Sequence, residues 1–291
     1  MLRLEYLVTA SANVHRAAIA VAPNGGRRTR ADHSALPQTP GQLAETAAAC
    51  LDAGAAMIHC HVRDGEGRHI LHADAYRDAI AAIRKAVGDR LVIQITTEAV
   101  GRYGAREQMQ VVRDIRPEAA SLALRELVPD AAHEEEFSKF LSFMRAENIA
   151  PQIILYHPEE ALQLKRMMAH GLIPFPDIPV LYVLGRYTEG QRSDPADLLP
   201  FLDEAMPDFP HFMVCAFGPR EAACVTAACL LGGHARVGFE NNLHLANGEI
   251  APDNAAIVSG VATALTSLGT SLESADGLRE SWGLGTPATG R

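Results

Sequence analysis

The sequence predicts an α/β protein in which eight parallel strands alternate with helices and close into a single (β/α)8 TIM barrel. Three observations predict this fold. The chain has 291 residues, a length that α/β barrels use for one domain. Eight short apolar runs recur along it, and longer helical patterns separate them. No low-complexity linker divides the sequence, so we expect one domain over residues 1–291.

The predicted strands are apolar over most of their length, as the strands of a buried parallel sheet are. They cover residues 6–10, 57–62, 91–96, 119–124, 150–156, 178–184, 211–217 and 235–240. Helices are predicted over residues 39–54, 73–88, 133–148, 158–171, 194–205, 220–233 and 251–269, with a weaker pattern at 106–116. A doubly wound open sheet is the alternative. It usually has fewer strands and a G-x-G-x-x-G motif after the first one, and this sequence has no such motif there.

The end signals are clearest for the first predicted helix. Thr39 is a good N-cap, Pro40 occupies the first helical position and Gly54 follows the end. Residues 11–38, before this helix, form a long connection, which we expect to be a lid or substrate loop at the catalytic face. Its basic segment "GGRRTR", residues 25–30, is either a solvated loop or a site for an anionic ligand such as a phosphate or carboxylate.

Composition excludes several classes of function. The formal net charge of −9 gives no general attraction to nucleic acid or to an anionic membrane surface. Five cysteines without a C-x-x-C pair indicate neither a disulfide framework nor a cysteine zinc site, so a reducing compartment is expected. The sequence shows no signal peptide and no apolar run of the ~20 residues that cross a bilayer. We therefore expect a cytoplasmic protein with a small-molecule substrate.

The segment "MIHCHV" places two histidines at the end of the second predicted strand. Because side chains two apart in a strand share a face, His59 and His61 project together and Cys60 projects to the other side. Barrel enzymes keep their active sites at the carboxyl ends of the strands. The two imidazoles are either ligands of a catalytic metal ion or ordinary hydrogen-bonding residues at the end of a strand.

A third metal ligand can come from the last predicted strand. In a closed barrel of eight strands, the last strand and the second both flank the first, with neighbours ~4.8 Å apart. Glu240, at the predicted end of the last strand, can therefore meet His59 and His61 around one ion. Two histidines and a glutamate suit Zn²⁺, and the same donors accept Co²⁺, Ni²⁺ or Mn²⁺.

Three segments resemble the β-keto acid cleavage enzymes, a family that includes the 3-keto-5-aminohexanoate cleavage enzyme. They are residues 30–68, "IQITTEA" at 93–99 and "GGHARVGFENN" at 232–242. The resemblance implies a barrel that forms homo-oligomers, commonly tetramers. It implies a zinc ion on His59, His61 and Glu240. It also implies a reaction in which a 3-keto acid and acetyl-CoA give acetoacetate and a shortened acyl-CoA.

The resemblance assigns further roles near Glu240. Arg236 matches an arginine that assists charge stabilisation and proton transfer, with a structural salt bridge as the alternative. Asn241 stands where the family usually has an aspartate that activates a water, and an amide is not a base at neutral pH. Glu98 lies where the family often has glycine. It can replace the missing base, bind a cationic group of the substrate, or point to solvent.

The remaining candidates are substrate contacts and nearby histidines. By resemblance, Thr96 and Thr97 contact the substrate carboxylate, and Ser121 adds a polar contact. His69 and His72 are expected on the surface or as helix caps. Three functions follow: zinc-dependent cleavage with acetyl-CoA, a metal-dependent hydrolase or isomerase of a related oxo-acid, and a barrel that only binds a small acid.

Overall fold

The computed structural model describes residues 15–284 and shows a closed, all-parallel barrel of eight strands. Eight strands form the barrel and two more form a small antiparallel hairpin. They are β1 (Ile19–Val21), β2 (Met57–Cys60), β3 (Val62–Arg63), β4 (His69–Ile70), β5 (Val92–Thr96), β6 (Ala119–Ala123), β7 (Ala150–Leu155), β8 (Val180–Leu184), β9 (Phe212–Ala216) and β10 (His234–Val237). The barrel order is β1-β10-β9-β8-β7-β6-β5-β2, with β3 paired to β4. The predicted TIM barrel is confirmed.

Helices follow most of the barrel strands and cover the outside. They are α1 (Pro40–Asp52), α2 (Ala73–Val87), α3 (Ala105–Ile115), α4 (Leu124–Leu127), α5 (Glu134–Ala146), α6 (Pro158–Ala169), α7 (Glu221–Leu230), α8 (Asn254–Ser267) and α9 (Ala275–Ser281). Two 3-10 helices cover Ala131–His133 and Pro195–Phe201. In the part of the chain that the structure describes, no helix is long and apolar enough to cross a membrane.

The first barrel strand is not where the sequence placed it. The predicted strand at 6–10 lies outside the described residues, and β1 lies inside the segment 11–38 that was predicted to be a loop. The sequence around β1, "AAIAVA", is rich in alanine, which has low strand propensity, so the pattern was missed. The connection from β1 to α1 therefore spans residues 22–39.

Other boundaries differ for local reasons. The helix predicted at 194–205 is a 3-10 helix of seven residues, and Pro200 inside it provides no backbone N–H for an α-helical bond. The α4 and α9 helices and the β3–β4 hairpin were not predicted, because each is too short to show a period. At α1, Thr39 and Gln42 form a capping box, and Ala53 rather than Gly54 is the C-cap.

Alternation along the strands separates two apolar layers. Cys60 and Ile58 belong to the layer between barrel and helices, as the strand geometry predicted for Cys60. Met57 and its inward neighbours fill the barrel itself. The next inward-facing residue on each strand, two positions further along, lies above this apolar layer at the carboxyl end of the strand. His59 is one of them, so the barrel supports it from below.

Candidate functional site

His59, His61 and Glu240 meet at the carboxyl end of the barrel. The Nε2 atoms of the two imidazoles are 3.2 Å apart, and Glu240 Oε2 lies 3.5 Å from His59 Nε2 and 3.3 Å from His61 Nε2. Strand β1 pairs with both β2 and β10. The two histidines, at the end of β2, and Glu240, after β10, therefore lie on either side of one strand, as predicted. Both histidines are buried, and their ligand atoms face one point with that of Glu240.

These three atoms fit the coordination shell of a small divalent metal. Ligand atoms at 2.0–2.1 Å from a tetrahedral ion lie ~3.3 Å from one another, close to the separations found here. Among the described residues, buried Glu240 Oε2 has no hydrogen-bond partner. A buried carboxylate oxygen without a partner is costly unless an ion or ligand completes it. The set can therefore hold a metal ion.

The ionisation states of the three groups suit the same role. Burial lowers the pKa of His59 to about 4 and the pKa of His61 well below its usual value, so both imidazoles are neutral. Burial alone would raise the pKa of Glu240. The positive charge of Arg236 has a larger opposite effect, so the pKa of Glu240 lies well below its usual range. Two neutral imidazoles and one carboxylate can act as metal ligands without first losing a proton.

The orientation of His59 is fixed from the adjacent strand. Its Nδ1 lies 2.7 Å from Oε1 of Gln94, and Gln94 Nε2 donates to Oε1 of Gln152 at 3.0 Å. Since a glutamine oxygen only accepts, Nδ1 carries the proton and Nε2 keeps its lone pair for the ion. All three side chains are buried.

Arg236 is joined to the same site. Its Nη2 donates to Glu240 Oε1 at 2.6 Å, while Nε and Nη1 have no hydrogen-bond partner among residues 15–284. The predicted strand through residue 240 was too long: β10 ends at Val237, and Gly238 has a φ of +127°. Arg236 and Glu240 therefore meet across a turn rather than along one strand face.

Glu98 lies in the site and not in solvent. Its Oε2 is 3.8 Å from His61 Nδ1, and its side chain is 22% exposed. Burial and the charge of Glu240 raise the pKa of Glu98 to about 7. Two glycines leave the space that both carboxylates need, because a Cβ on Gly26 would lie 2.5 Å from Glu98 Oε2 and one on Gly25 would lie 2.6 Å from Glu240 Cγ.

The Asn241 side chain donates a hydrogen bond to Glu221, a carboxyl group that the sequence did not reveal as part of the site. Glu221, at the start of α7, is fully buried and accepts from Asn241 Nδ2 at 3.3 Å, Asn242 Nδ2 at 3.2 Å and the backbone N–H of Gly238 at 3.1 Å. Burial raises the pKa of Glu221 to about 8. Glu221 therefore holds the turn that carries Glu240. An acidic residue at a helix start is ordinary in sequence, so only the fold shows this role.

The three predicted substrate contacts are buried next to the site. Thr96 Oγ1 accepts from the N–H of Glu98 at 3.0 Å, and Thr97 Oγ1 donates to the carbonyl of Ser121 at 2.9 Å. Within the described residues, Ser121 Oγ has no partner. Of the three hydroxyl groups, that of Ser121 is the one left without a hydrogen bond.

His69 was expected at the surface and is instead buried. Its ring centroid lies 4.9 Å from that of His61, and its Nε2 lies 3.1 Å from the carbonyl of Glu98. The reason is the short β3–β4 hairpin, which folds His69 back over the site. His72, in contrast, takes an N-cap position before α2, as expected.

A cavity of about 120 Å³ adjoins Glu240 and Glu98. Its other lining residues come from the β1–α1 connection and from the ends of β8 and β9, namely Asn24, Gly25, Gly26, Arg27, Arg28, Arg186, Gln191 and Phe217. The part of "GGRRTR" that starts this connection therefore lies at the site. Arg186 and Phe217 were not predicted, since a single arginine or phenylalanine after a strand carries no pattern.

Comparison with known proteins agrees with this geometry. The model of the beta-keto acid cleavage enzyme family matches residues 16–284, and the chain belongs to this family. It is 27% identical over 263 residues to a 3-keto-5-aminohexanoate cleavage enzyme of Fusobacterium nucleatum, covering 88% of this chain and 93% of that one. It is 28% identical over 254 residues to a 3-oxoadipate:acetyl-CoA acetyltransferase of Cupriavidus necator, covering 84% and 86%. The protein is an enzyme that acts on β-keto acids.

Solved structures show the same fold. ObcA in its binary complex with oxaloacetate superposes with a TM-score of 0.67 at 20% identity, over 86% of this chain and 68% of that one. A type I 3-dehydroquinate dehydratase from Clostridium difficile superposes with a TM-score of 0.58 at 13% identity, over 89% and 94%. At these identities the likeness concerns the barrel.

Proposed function

We propose that the enzyme catalyses a zinc-dependent, Claisen-type exchange between a 3-keto acid and acetyl-CoA, giving acetoacetate and a shortened acyl-CoA. The observation that supports it most is the convergence of His59, His61 and Glu240 with metal-ligand spacing. Relatives named as acetyl-CoA transferases support the choice of co-substrate. When bound, zinc supplies Lewis-acid stabilisation of the negative charge that develops on the keto acid.

In this proposal Glu98 is the base. Its Oε2 takes a proton from C2 of the keto acid, because it lies beside His61 and its pKa of about 7 suits proton transfer near neutral pH. The C2 carbanion attacks the thioester carbonyl of acetyl-CoA, and the thiolate leaves. The thiolate then attacks C3, the C2–C3 bond breaks, and the proton returns from Glu98 to C2. No proton is gained or lost overall.

The other residues position and stabilise. Arg236 has two N–H positions, Nε and Nη1, that no described residue uses, so it can donate to the negative charge of the keto acid. Asn241 acts through its bond to Glu221, which fixes the turn of Glu240, and not as a base. Thr96, Thr97 and Ser121 surround the substrate carboxylate, with the free hydroxyl of Ser121 as the direct donor.

An isotope experiment tests the reaction. The zinc-loaded enzyme is mixed with a panel of 3-keto acids and acetyl-CoA that carries ¹³C at its carbonyl carbon. We expect the label at C3 of acetoacetate and an equal amount of a new acyl-CoA. Keto acid consumed without acetyl-CoA would instead indicate a hydrolase or isomerase. Glu98→Gln should lower kcat at least 100-fold with zinc still bound, within the range for general-base catalysis.

Two further expectations remain part of the proposal. The enzyme is expected to form a homotetramer, as the family resemblance implies, and to work in the cytoplasm. Light scattering of the purified enzyme measures the first, and a monomeric mass would contradict it. Fractionation of the source cells measures the second.

A further inference from the structure

Arg186 is a nearly buried cation without a hydrogen bond. Its side chain is 15% exposed, and its guanidinium carbon lies 4.8 Å from the centre of the Phe217 ring. Among residues 15–284, the guanidinium group forms no hydrogen bond, and Glu98 Oε1 lies 3.7 Å from its Nη2. Guanidinium donors that no described residue uses can bind a ligand that supplies the acceptors.

A second arginine approaches the same point. Arg186 Nη2 is 3.7 Å and Arg27 Nε is 3.9 Å from one oxygen of Glu98, both too far for a hydrogen bond. The other oxygen of Glu98 is 3.8 Å from His61 Nδ1. A single carboxyl group therefore spans the distance between the proposed metal ligand and the two guanidinium groups.

The other charged groups near this pair form no hydrogen bond with it. Arg28 is not available, because its Nη1 donates to the carbonyl of Phe239 at 2.9 Å and its Nη2 to that of Asn241 at 3.4 Å. Glu240 is paired with Arg236. Two carboxylates, Glu98 and Glu126, interact with the pair: Glu98 is too far from either arginine for a hydrogen bond, and Glu126 Oε2 already accepts from the N–H of Ala99 at 3.0 Å.

We propose that Arg27 and Arg186 bind a second carboxylate at the far end of the keto acid, so that the substrate is a short 3-keto dicarboxylate. The inference rests on the proposed function. Guanidinium groups bind carboxylates in a two-point geometry that few other pairs match. One oxygen of Glu98 lies 3.8 Å from His61 and the other 3.7 Å from Arg186, so the span of a single carboxyl group separates the two ends of the site and allows a chain of only a few carbons.

The product follows from the bonds that change. The C2–C3 bond of the diacid breaks, and C1 and C2 leave as part of acetoacetate. The carbonyl at C3 becomes the thioester, and the far carboxylate is untouched. The acyl-CoA product is then the monothioester of a dicarboxylic acid.

Two substrates of equal chain length test this inference. 3-Oxoadipate and 3-oxohexanoate each have six carbons and share the keto acid end, but only 3-oxoadipate has a second carboxylate. We expect kcat/KM to be at least tenfold higher for 3-oxoadipate. Arg186→Gln and Arg27→Gln should each lower this value about 10- to 100-fold, the usual effect of losing a hydrogen bond between charged groups. Both variants also act on Glu98, so turnover of 3-oxohexanoate can change too, but the preference for 3-oxoadipate over 3-oxohexanoate should disappear while the KM for acetyl-CoA stays the same.

The control variant is Arg106→Gln, on a side chain that is 86% exposed and paired with Glu136 on α5. This variant should leave kcat/KM unchanged for both 3-oxoadipate and 3-oxohexanoate. If Arg27→Gln and Arg186→Gln raise the KM for acetyl-CoA equally with both keto acids, the arginines bind phosphates of coenzyme A and the inference is wrong. Equal or better turnover of 3-oxohexanoate by the unmodified enzyme would also overturn it.

Calorimetry separates this inference from the proposed function. The binding of 3-oxoadipate and 3-oxohexanoate is measured without acetyl-CoA, in the zinc-loaded enzyme and in Arg186→Gln. Tighter binding of 3-oxoadipate that Arg186→Gln abolishes supports the second-carboxylate site even if no exchange with acetyl-CoA occurs. Exchange with acetyl-CoA but no preference for 3-oxoadipate supports the function and refutes the site.

Discussion

Glu221→Gln tests how the fold holds a buried carboxyl group behind the site. Glu221 has no exposed surface, and burial raises its pKa from 4.5 to about 8, against hydrogen bonds from Asn242, Asn241 and Gly238. Between these two pKa values the folded chain binds one more proton than the unfolded chain. The contribution of Glu221 to stability is therefore complete below the unfolded value and is lost as the pH rises through about 8.

The size of the effect follows from the same interval. A difference of one pH unit between the two pKa values corresponds to ~1.36 kcal/mol, so the interval from 4.5 to about 8 gives at most ~5 kcal/mol. Glutamine has nearly the same shape and does not titrate. The free energy of unfolding of the unmodified protein, minus that of Glu221→Gln, should therefore fall by ~1.4 kcal/mol for each pH unit inside the interval.

The assay is urea unfolding followed by circular dichroism at one-unit steps from pH 5 to 9, with EDTA in every sample so that metal binding does not contribute. Glu45→Gln, on the exposed face of α1, is the control and should show the pH dependence of the unmodified protein. Parallel curves for the unmodified protein and Glu221→Gln would refute the reasoning. They would mean that the three N–H donors keep the buried group ionised at every pH tested.

Three further predictions concern the metal site. His59→Ala should reduce zinc after dialysis from about one ion per chain to a small fraction of that without changing the far-ultraviolet spectrum, as elemental analysis can show; full retention of zinc would contradict the ligand set. Gln94→Leu removes the acceptor of His59 Nδ1 and should weaken zinc affinity about 10- to 100-fold in chelator competition, whereas unchanged affinity would mean that the bond does not orient the ring. Gly25→Ala places a methyl group against Glu240 at a φ of +62° and should lower the free energy of unfolding by ~1–2 kcal/mol, while Gly41→Ala, with open space around it, should be neutral or stabilising.

The barrel and the three candidate metal ligands, His59, His61 and Glu240, could be predicted from the sequence because each depends on a strong, local pattern. Seven of the strands carry apolar runs that only a buried parallel sheet explains. The H-x-H spacing predicts two ligands on one side of a strand; in the structure His59 lies in β2 and His61 directly after its end, and closure of the barrel brings Glu240 to both. The first strand lacked such a signal because its buried residues are mostly alanine.

The rest of the site depends on contacts that have no sequence pattern. Glu221 and Arg186 each follow a strand or begin a helix, where charged residues are common. Glu221 is distinguished by its burial and its three hydrogen-bond donors, and Arg186 by its lack of a hydrogen-bond partner among the described residues. Both properties arise only when separate loops pack together. His69 shows the same limit, since its burial depends on a hairpin of two-residue strands.

With Asn241 in place of an acid, two other carboxyl groups near the site are candidates for proton transfer, the buried Glu221 and the partly exposed Glu98, and their geometry distinguishes them. Both oxygens of Glu221 already accept hydrogen bonds, and three N–H donors lie between them and the metal ligand turn. Glu98 lines the cavity, has an oxygen 3.8 Å from His61, and its carboxylate accepts no hydrogen bond from a described residue. A base must reach the proton that it removes, so Glu98 can exchange protons with a substrate in the cavity and Glu221 cannot. The loss of an acidic residue at position 241 is therefore compatible with catalysis, because the carboxylate that faces the substrate lies on a different strand end.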